Sequence, residues 1–230
     1  MKTPLRYPGG KTRAVKHILP HIPKDIERLC SPFFGGGSVE LAIATRGTAV
    51  RGYDKMKQLV WFWQGLCANN NRLANEVQSL QEEYEIRSGE TVKGCSKESF
   101  HQYREDLKTE SFMFSYERAA KYYAINRASF SGATFSGGWS EKASYARFTD
   151  SSVQRLRDFE AKNFRVDYAD FEDAINYHPK SFLSKRTGWV MSYNNCPKIQ
   201  DMYCEQKIIE AEWVYGMNKS KKSSEIIIVG

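Results

Sequence analysis

An α/β fold of the Rossmann type is predicted by three short segments near the start of the chain. The first is the glycine turn Leu5-Arg6-Tyr7-Pro8-Gly9-Gly10-Lys11-Thr12. The second is Ser31-Pro32-Phe33-Phe34-Gly35-Gly36-Gly37-Ser38, an aromatic run into three glycines. The third, Gly52-Tyr53-Asp54, ends an apolar run in an acid. Strand, glycine turn, helix, strand, acid is the layout by which such folds bring backbone close to a nucleotide-like ligand, the acid taking ribose hydroxyls. The acid stands near the usual spacing of about 20 residues, although the chain shows no G-x-G-x-x-G at the turn.

The elements follow in order. Residues 14–19 read as a short helix ending at Pro20, and Pro23 marks the next turn. Residues 38–45 are apolar at helical spacing and Gly47 closes them, after which 49–53 form a β-branched and aromatic strand. Residues 58–66 make a helix whose stripe Trp61, Phe62, Trp63 is read as core, and Asn69 to Asn71 as a break or cap. Leu73, Val77 and Leu80 predict one amphipathic helix over 72–85, followed by a loop around 89–94. Helices are expected at 99–107 and at 116–127, the second with Ala119, Ala120, Tyr123 and Ala124 on its buried face. Residues 126–148 mix small residues, glycines, aromatics and two arginines, the composition of a loop or hairpin that meets a partner. A helix at 151–160, a strand at 164–168 and a strand at 188–194 come next. Residues 207–215 and 225–229 pair as a terminal hairpin, with 219–222 a basic turn near its tip.

The 230 residues suffice for one large α/β domain or a core with an insert. A net charge of +7 and a pI of about 9.1 tilt towards a polyanionic partner, bound through phosphate contacts and counterion release. The five cysteines (Cys30, Cys67, Cys95, Cys196, Cys204) form no C-x-x-C pair and have no zinc-like histidine spacing, so no metal site is expected. There is no signal-like stretch after the basic start and no run long enough to span a bilayer. The expectation is a reduced, intracellular protein, cytoplasmic or otherwise, without a membrane partner.

Taken together, the two glycine turns and the acid resemble the Dam-type DNA adenine-N6 methyltransferases. That family opens with aromatic-x-Gly-Gly-Lys, continues with Pro-Phe-x-Gly-Gly-Gly-Ser, and carries an Asp after its second strand. The resemblance covers nearly the whole chain. It implies a Rossmann-like class I methyltransferase core over residues 1–56 and 161–230, with a helical and hairpin target-recognition insert over 57–160. It implies a site for S-adenosyl-L-methionine at Tyr7, Gly9, Lys11, Phe34, Gly35, Gly37 and Asp54, with Asp170 and Phe171 beside the adenine ring. Double-stranded DNA is the implied partner, met by Arg127, Ser129 and Ser131 of an Asn-Arg-x-x-Phe-x-Gly segment and by Trp139 further along the stretch 126–148. The chemistry implied is direct methyl transfer to N6 of a flipped adenine, as in restriction–modification, without metal or covalent intermediate.

One part of the family pattern is missing. The exocyclic amine of adenine is a poor nucleophile, and the family answers with an Asp-Pro-Pro-Tyr loop after a strand that follows the Asp-Phe pair. None of the seven prolines here adjoins another. The chain passes from Asp170-Phe171 through Asn176-Tyr177-His178-Pro179 to Gly188-Trp189, so a central strand and the catalytic loop are expected to be absent. Candidate substitutes are Asn176, and Tyr193 with Asn194 at the end of a strand. Deleting a central strand strands two rows of backbone groups, each costing on the order of 1–3 kcal/mol if buried unpaired. Residues 189–194 are expected to slide into the vacancy. Three readings stay open: an active enzyme with an unrecognised loop, an inactive relative that binds cofactor or DNA, and a basic DNA-binding module without cofactor.

Overall fold

The computed structural model describes residues 1–108, 113–177, 188–214 and 222–230. The chain starts with α1 (Val15–Ile18), flanked by 3-10 turns Lys11–Arg13 and Leu19–His21. Strand β1 (Arg28–Ser31), helix α2 (Ser38–Ala44) and strand β2 (Ala49–Asp54) come next. Helices α3 (Lys57–Ala68) and α4 (Asn70–Ser79) are separated by Asn69, whose side chain accepts from the Arg72 N–H at 2.9 Å, the usual work of an N-cap asparagine.

The predicted helix over 72–85 stops at Ser79. Residues Glu82–Glu85 form β3 and pair antiparallel with β4 (Thr91–Gly94). Helical periodicity ends at Leu80, and Tyr84 then packs on Trp139 with ring centroids 6.3 Å apart while Glu83 and Glu85 face solvent. That period of two belongs to a strand. Helices α5 (Lys97–Lys108), α6 (Tyr116–Ala128), α7 (Glu141–Arg147) and α8 (Asp150–Arg157) follow, then strand β5 (Phe164–Tyr168) and helix α9 (Phe171–Tyr177). Strand β6 (Val190–Asn194), helix α10 (Pro197–Met202) and strands β7 (Lys207–Val214) and β8 (Lys222–Val229) complete the chain. The sequence reading contained none of α7, α9 and α10, and it took 126–148, which includes α7, for a loop or hairpin and 89–94, which includes β4, for a loop. The basic turn expected at 219–222 and Tyr215 lie mostly outside the described residues.

The architecture is mixed α/β, with a parallel sheet and helices as predicted. Strands β1, β2 and β5 form that sheet in the order β1-β2-β5. A second, antiparallel sheet has the order β6-β8-β7 and contains the expected terminal hairpin. The expectation that residues 189–194 fill the vacancy is not met. Among the described residues β6 pairs only with β8, and β1 pairs only with β2. The gain from pairing with β8, whose Ile226, Ile227 and Ile228 are buried, holds β6 in the second sheet.

One apolar core nevertheless runs through both sheets, including Val50, Phe164 and Val166 of the first and Ala211, Trp213 and Ile227 of the second. The aromatic stripe of α3 is its centre. Phe62 stacks on Tyr123 of α6 at 5.5 Å, and Trp63 meets Phe34 edge-on at 5.2 Å. Such pairs add about 0.5–1.5 kcal/mol each beyond area burial. The Phe34 ring reaches the core through a gap that Gly52 leaves in β2: a Cβ there would sit 1.9 Å from Phe34 Cδ2. Gly52→Ala is therefore expected to cost at least about 1–3 kcal/mol, the range for overpacking, in chemical denaturation. An unchanged midpoint would show that the ring has room to move aside.

Candidate functional site

The two glycine turns meet face to face. Gly10 N–H donates to Tyr7 O at 2.9 Å, closing the first turn, with Gly9 at φ +72°. In the second turn Gly35 and Gly37 have φ of +52° and +65°, a region that favours glycine. The Tyr7 ring lies along this loop so closely that a Cβ on Gly35 would come 2.9 Å from Tyr7 Cε1, and one on Gly36 2.8 Å from Tyr7 Cβ. Burial, and secondarily the Asp54 charge, push the Tyr7 phenol up to about 12, so it stays protonated at neutral pH.

Between the turns opens a cleft of about 150 Å³, lined among others by Tyr7, Gly9, Lys11, Phe33, Gly35 and Glu40. That is below the roughly 300–1,000 Å³ of a typical ligand pocket, so the cleft has room for only part of a nucleoside-sized molecule. A larger open groove of about 710 Å³ runs between α1 and β7, lined by Lys16, His17 and Trp213 among others. It touches the first turn only at Thr12 and none of the turn glycines, which line the smaller cleft.

Asp54 ends β2 directly beneath the loop. One carboxylate oxygen accepts from Gly35 N–H at 2.9 Å and the other from Met56 N–H at 2.9 Å. The side chain thus pins the glycine loop to the strand end, while Met56, not Asp54, is the N-cap residue of α3. Each oxygen keeps a lone pair for a further donor.

Two neighbouring aromatics divide the work. Phe34 was expected at the ligand, but its side chain is buried against Trp63 and Phe164. Phe33, which sequence reasoning missed, is 70% exposed and stacks on Phe171 at 5.2 Å and 25°. Adjacent, Asp170 takes an ion pair from Lys55 at 2.6 Å, and that hydrogen bond holds its carboxyl below the usual range.

Lys11 borders the cleft, yet its ammonium pairs with Glu225 of β8 at 2.7 Å and lies 5.2 Å from the Trp213 ring. The Glu225 side chain is fully buried, and its Oε1 has no hydrogen-bond partner among the described residues. Glu40 also escaped the sequence reading. Burial raises its carboxyl above the usual range, opposed by the hydroxyl of Ser31, which donates to Oε1 at 2.7 Å. An acid in the first turn after a glycine loop was the available signal.

The segment expected to meet DNA is largely inward-facing. Arg127 and Ser129 are buried, which corrects the exposure assumed for them. Arg127 Nε donates to Arg147 O at 2.7 Å, and Ser129 Oγ accepts from Thr134 N–H at 3.0 Å. Neither side chain reaches a base edge without leaving these partners. Trp139 is half-buried and its indole N–H donates to Cys95 O at 2.9 Å. Ser131 is partly exposed at φ +58°, beside Phe130, which is 69% exposed.

Of the substitute catalytic residues, Tyr193 and Asn194 are exposed at the end of β6, and Asn194 is the register partner of Glu225. Asn176 is in the last turn of α9, its side chain outside the described residues, as are His178 and Pro179. No cluster of metal-ligating side chains occurs among the described residues, and none of their helices is long and apolar enough to cross a membrane.

A comparison with individual curated proteins returned no match. A model of the D12 class N6 adenine-specific DNA methyltransferases, in contrast, matches residues 7–183. The match starts at the tyrosine packed along the glycine loop and takes in both turns, Asp54, the helices from α3 to α9 and the Asp170-Phe171 pair. The chain belongs to the family of D12 class N6 adenine-specific DNA methyltransferases.

Proposed function

We propose that this chain is a Rossmann-like family member that binds S-adenosylmethionine in the glycine cleft and duplex DNA through its basic surface, without completing methyl transfer by itself. The observation that carries this is the contrast between a formed cleft and a missing loop. The cleft side fits a nucleoside: glycines at 9, 10 and 35–37 line it, with the Cβ position of Gly9 open, and Asp54 has lone pairs left for ribose hydroxyls. Phe33 and Phe171 offer faces to an adenine ring, and Lys11 a charge to a carboxylate. When bound, the cofactor supplies an electrophilic methyl group.

The acceptor side is what the chain lacks. Residues 57–160 serve in this reading as the target-recognition insert, and residues 1–56 with 161–230 as the core. N6 of adenine needs acceptors for its hydrogens and an aromatic face for the flipped base. No Pro-Pro dipeptide occurs in the sequence, and among the described residues β6 pairs with β8 and not with the parallel sheet β1-β2-β5. Positioned proton acceptors contribute typically 10²–10⁴-fold, enough to silence a slow enzyme when lost. An active enzyme using Asn194 is the second reading, favoured by the pairing of Asn194 with Glu225, which holds Lys11 at the cleft.

Titrating S-adenosylmethionine into the protein, then supplying adenine-containing duplex in the same tube, tests both. Binding without labelled methyl on DNA is expected. Methyl transfer that Asn194→Ala abolishes would establish the second reading, and no binding by a folded sample would leave a DNA-binding module alone.

A further inference from the structure

Four guanidinium groups lie close enough to act on one another where α6, α7 and α8 meet the N-terminal segment. Arg127, at the end of α6, is the buried centre. Its Nε donates to Arg147 O at the C-terminus of α7, and its Nη1 to Pro4 O at 3.4 Å. Arg6 leans on the same corner, its Nη1 donating to Ser129 O at 3.3 Å. Helix α8 is tied to α6 by Tyr123, whose hydroxyl donates to Ser152 O at 2.9 Å, and it carries Arg155. Arg147 and Arg155 are exposed.

None of the four arginines forms an ion pair among the described residues. Of the acids nearest in sequence to the two exposed arginines, Asp150 is paired with Lys93 at 2.9 Å and Asp158 accepts from Gln154 Nε2 at 2.8 Å. The charges are close enough to repel. Burial lowers Arg127 to about 10, Tyr123 opposing and Arg155, Arg6 and Arg147 adding to the fall. A fold that holds like charges on a rigid corner without counterions gains when an anion enters, and the chain's net charge of +7 has the same sign.

We propose that Arg147 and Arg155 hold adjacent phosphates of one DNA strand, with Arg127 behind them as the buried positioning residue that fixes the end of α7. This rests on the DNA-binding reading above and names a contact that reads no base. The planar fork of arginine suits phosphate oxygens better than an ammonium does. Because Arg127 is spent on backbone carbonyls, the contact passes to the two exposed neighbours.

The test is fluorescence anisotropy with a labelled adenine-containing duplex over about 50–200 mM salt, the range where phosphate contacts show. Arg147→Gln and Arg155→Gln keep the side-chain stems and touch no buried group, so the fold is expected to survive, checked by circular dichroism. Each variant is expected to lower the slope of log affinity against log salt by about 0.9, and the double variant by about twice that, equally for unrelated sequences. Wild-type binding with an unchanged slope in the double variant overturns this proposal and leaves the DNA reading standing. A loss confined to one sequence also overturns it, in favour of base readout. No binding by the wild type overturns both.

Discussion

Replacing Asp54 with alanine is expected to lower stability by about 3 kcal/mol and to weaken S-adenosylmethionine binding by about 1.5–3 kcal/mol, the scale of charge-assisted hydrogen bonds. The two effects have different origins. The carboxylate accepts from the N–H groups of Gly35 and Met56, both at 2.9 Å, so its loss strands two donors and releases the glycine loop from β2. Against a total stability of about 5–15 kcal/mol the protein should still fold at low temperature. Asp54→Asn keeps one acceptor oxygen and is expected to fall between. Urea denaturation reads the first effect and calorimetric titration the second. A full-strength cofactor complex in a destabilised variant would restrict Asp54 to its structural role, and an unchanged urea midpoint would remove that role instead.

A comparable loss is expected for Lys11→Met. Glu225 is fully buried and Lys11, 28% exposed, is its partner at 2.7 Å. Removing one member of a buried pair typically costs about 3–5 kcal/mol because the other charge is left uncompensated. The lower end is expected here, since the ammonium keeps some water. Adding Glu225→Leu to Lys11→Met should recover most of the loss, and the double-mutant cycle measures the coupling. Additive single effects would mean that the pair contributes nothing. The pair matters beyond its energy, because it ties the first glycine turn to the second sheet across the sheet break.

Much of the fold was legible before any coordinates. Period-two and period-3.6 patterns place most strands and helices within a few residues, because an element that buries one face must repeat at its own period. The exceptions have physical causes. Glu82–Glu85 was absorbed into the preceding helix because four residues are too few to announce a period of two. Phe33 and Phe34 are indistinguishable by type, and only the hole above Gly52 determines which ring turns inward. Arg127 sits in a segment with the composition of a contact loop, yet α7 needs a donor at its last carbonyl and the guanidinium supplies it.

By itself, the sequence determined the family, the α/β class, the two glycine turns with their acid, and the absence of a Pro-Pro catalytic loop. These depend on residue type and local spacing, which the chain carries in plain order. Only the tertiary structure decided that the turns share one cleft with Tyr7 between them, and that the strands divide into β1-β2-β5 and β6-β8-β7. It alone paired Lys11 with a glutamate 214 positions along the chain and gathered four unpaired arginines at one corner. Such contacts join residues far apart in sequence, and their partners are chosen by burial and charge in three dimensions.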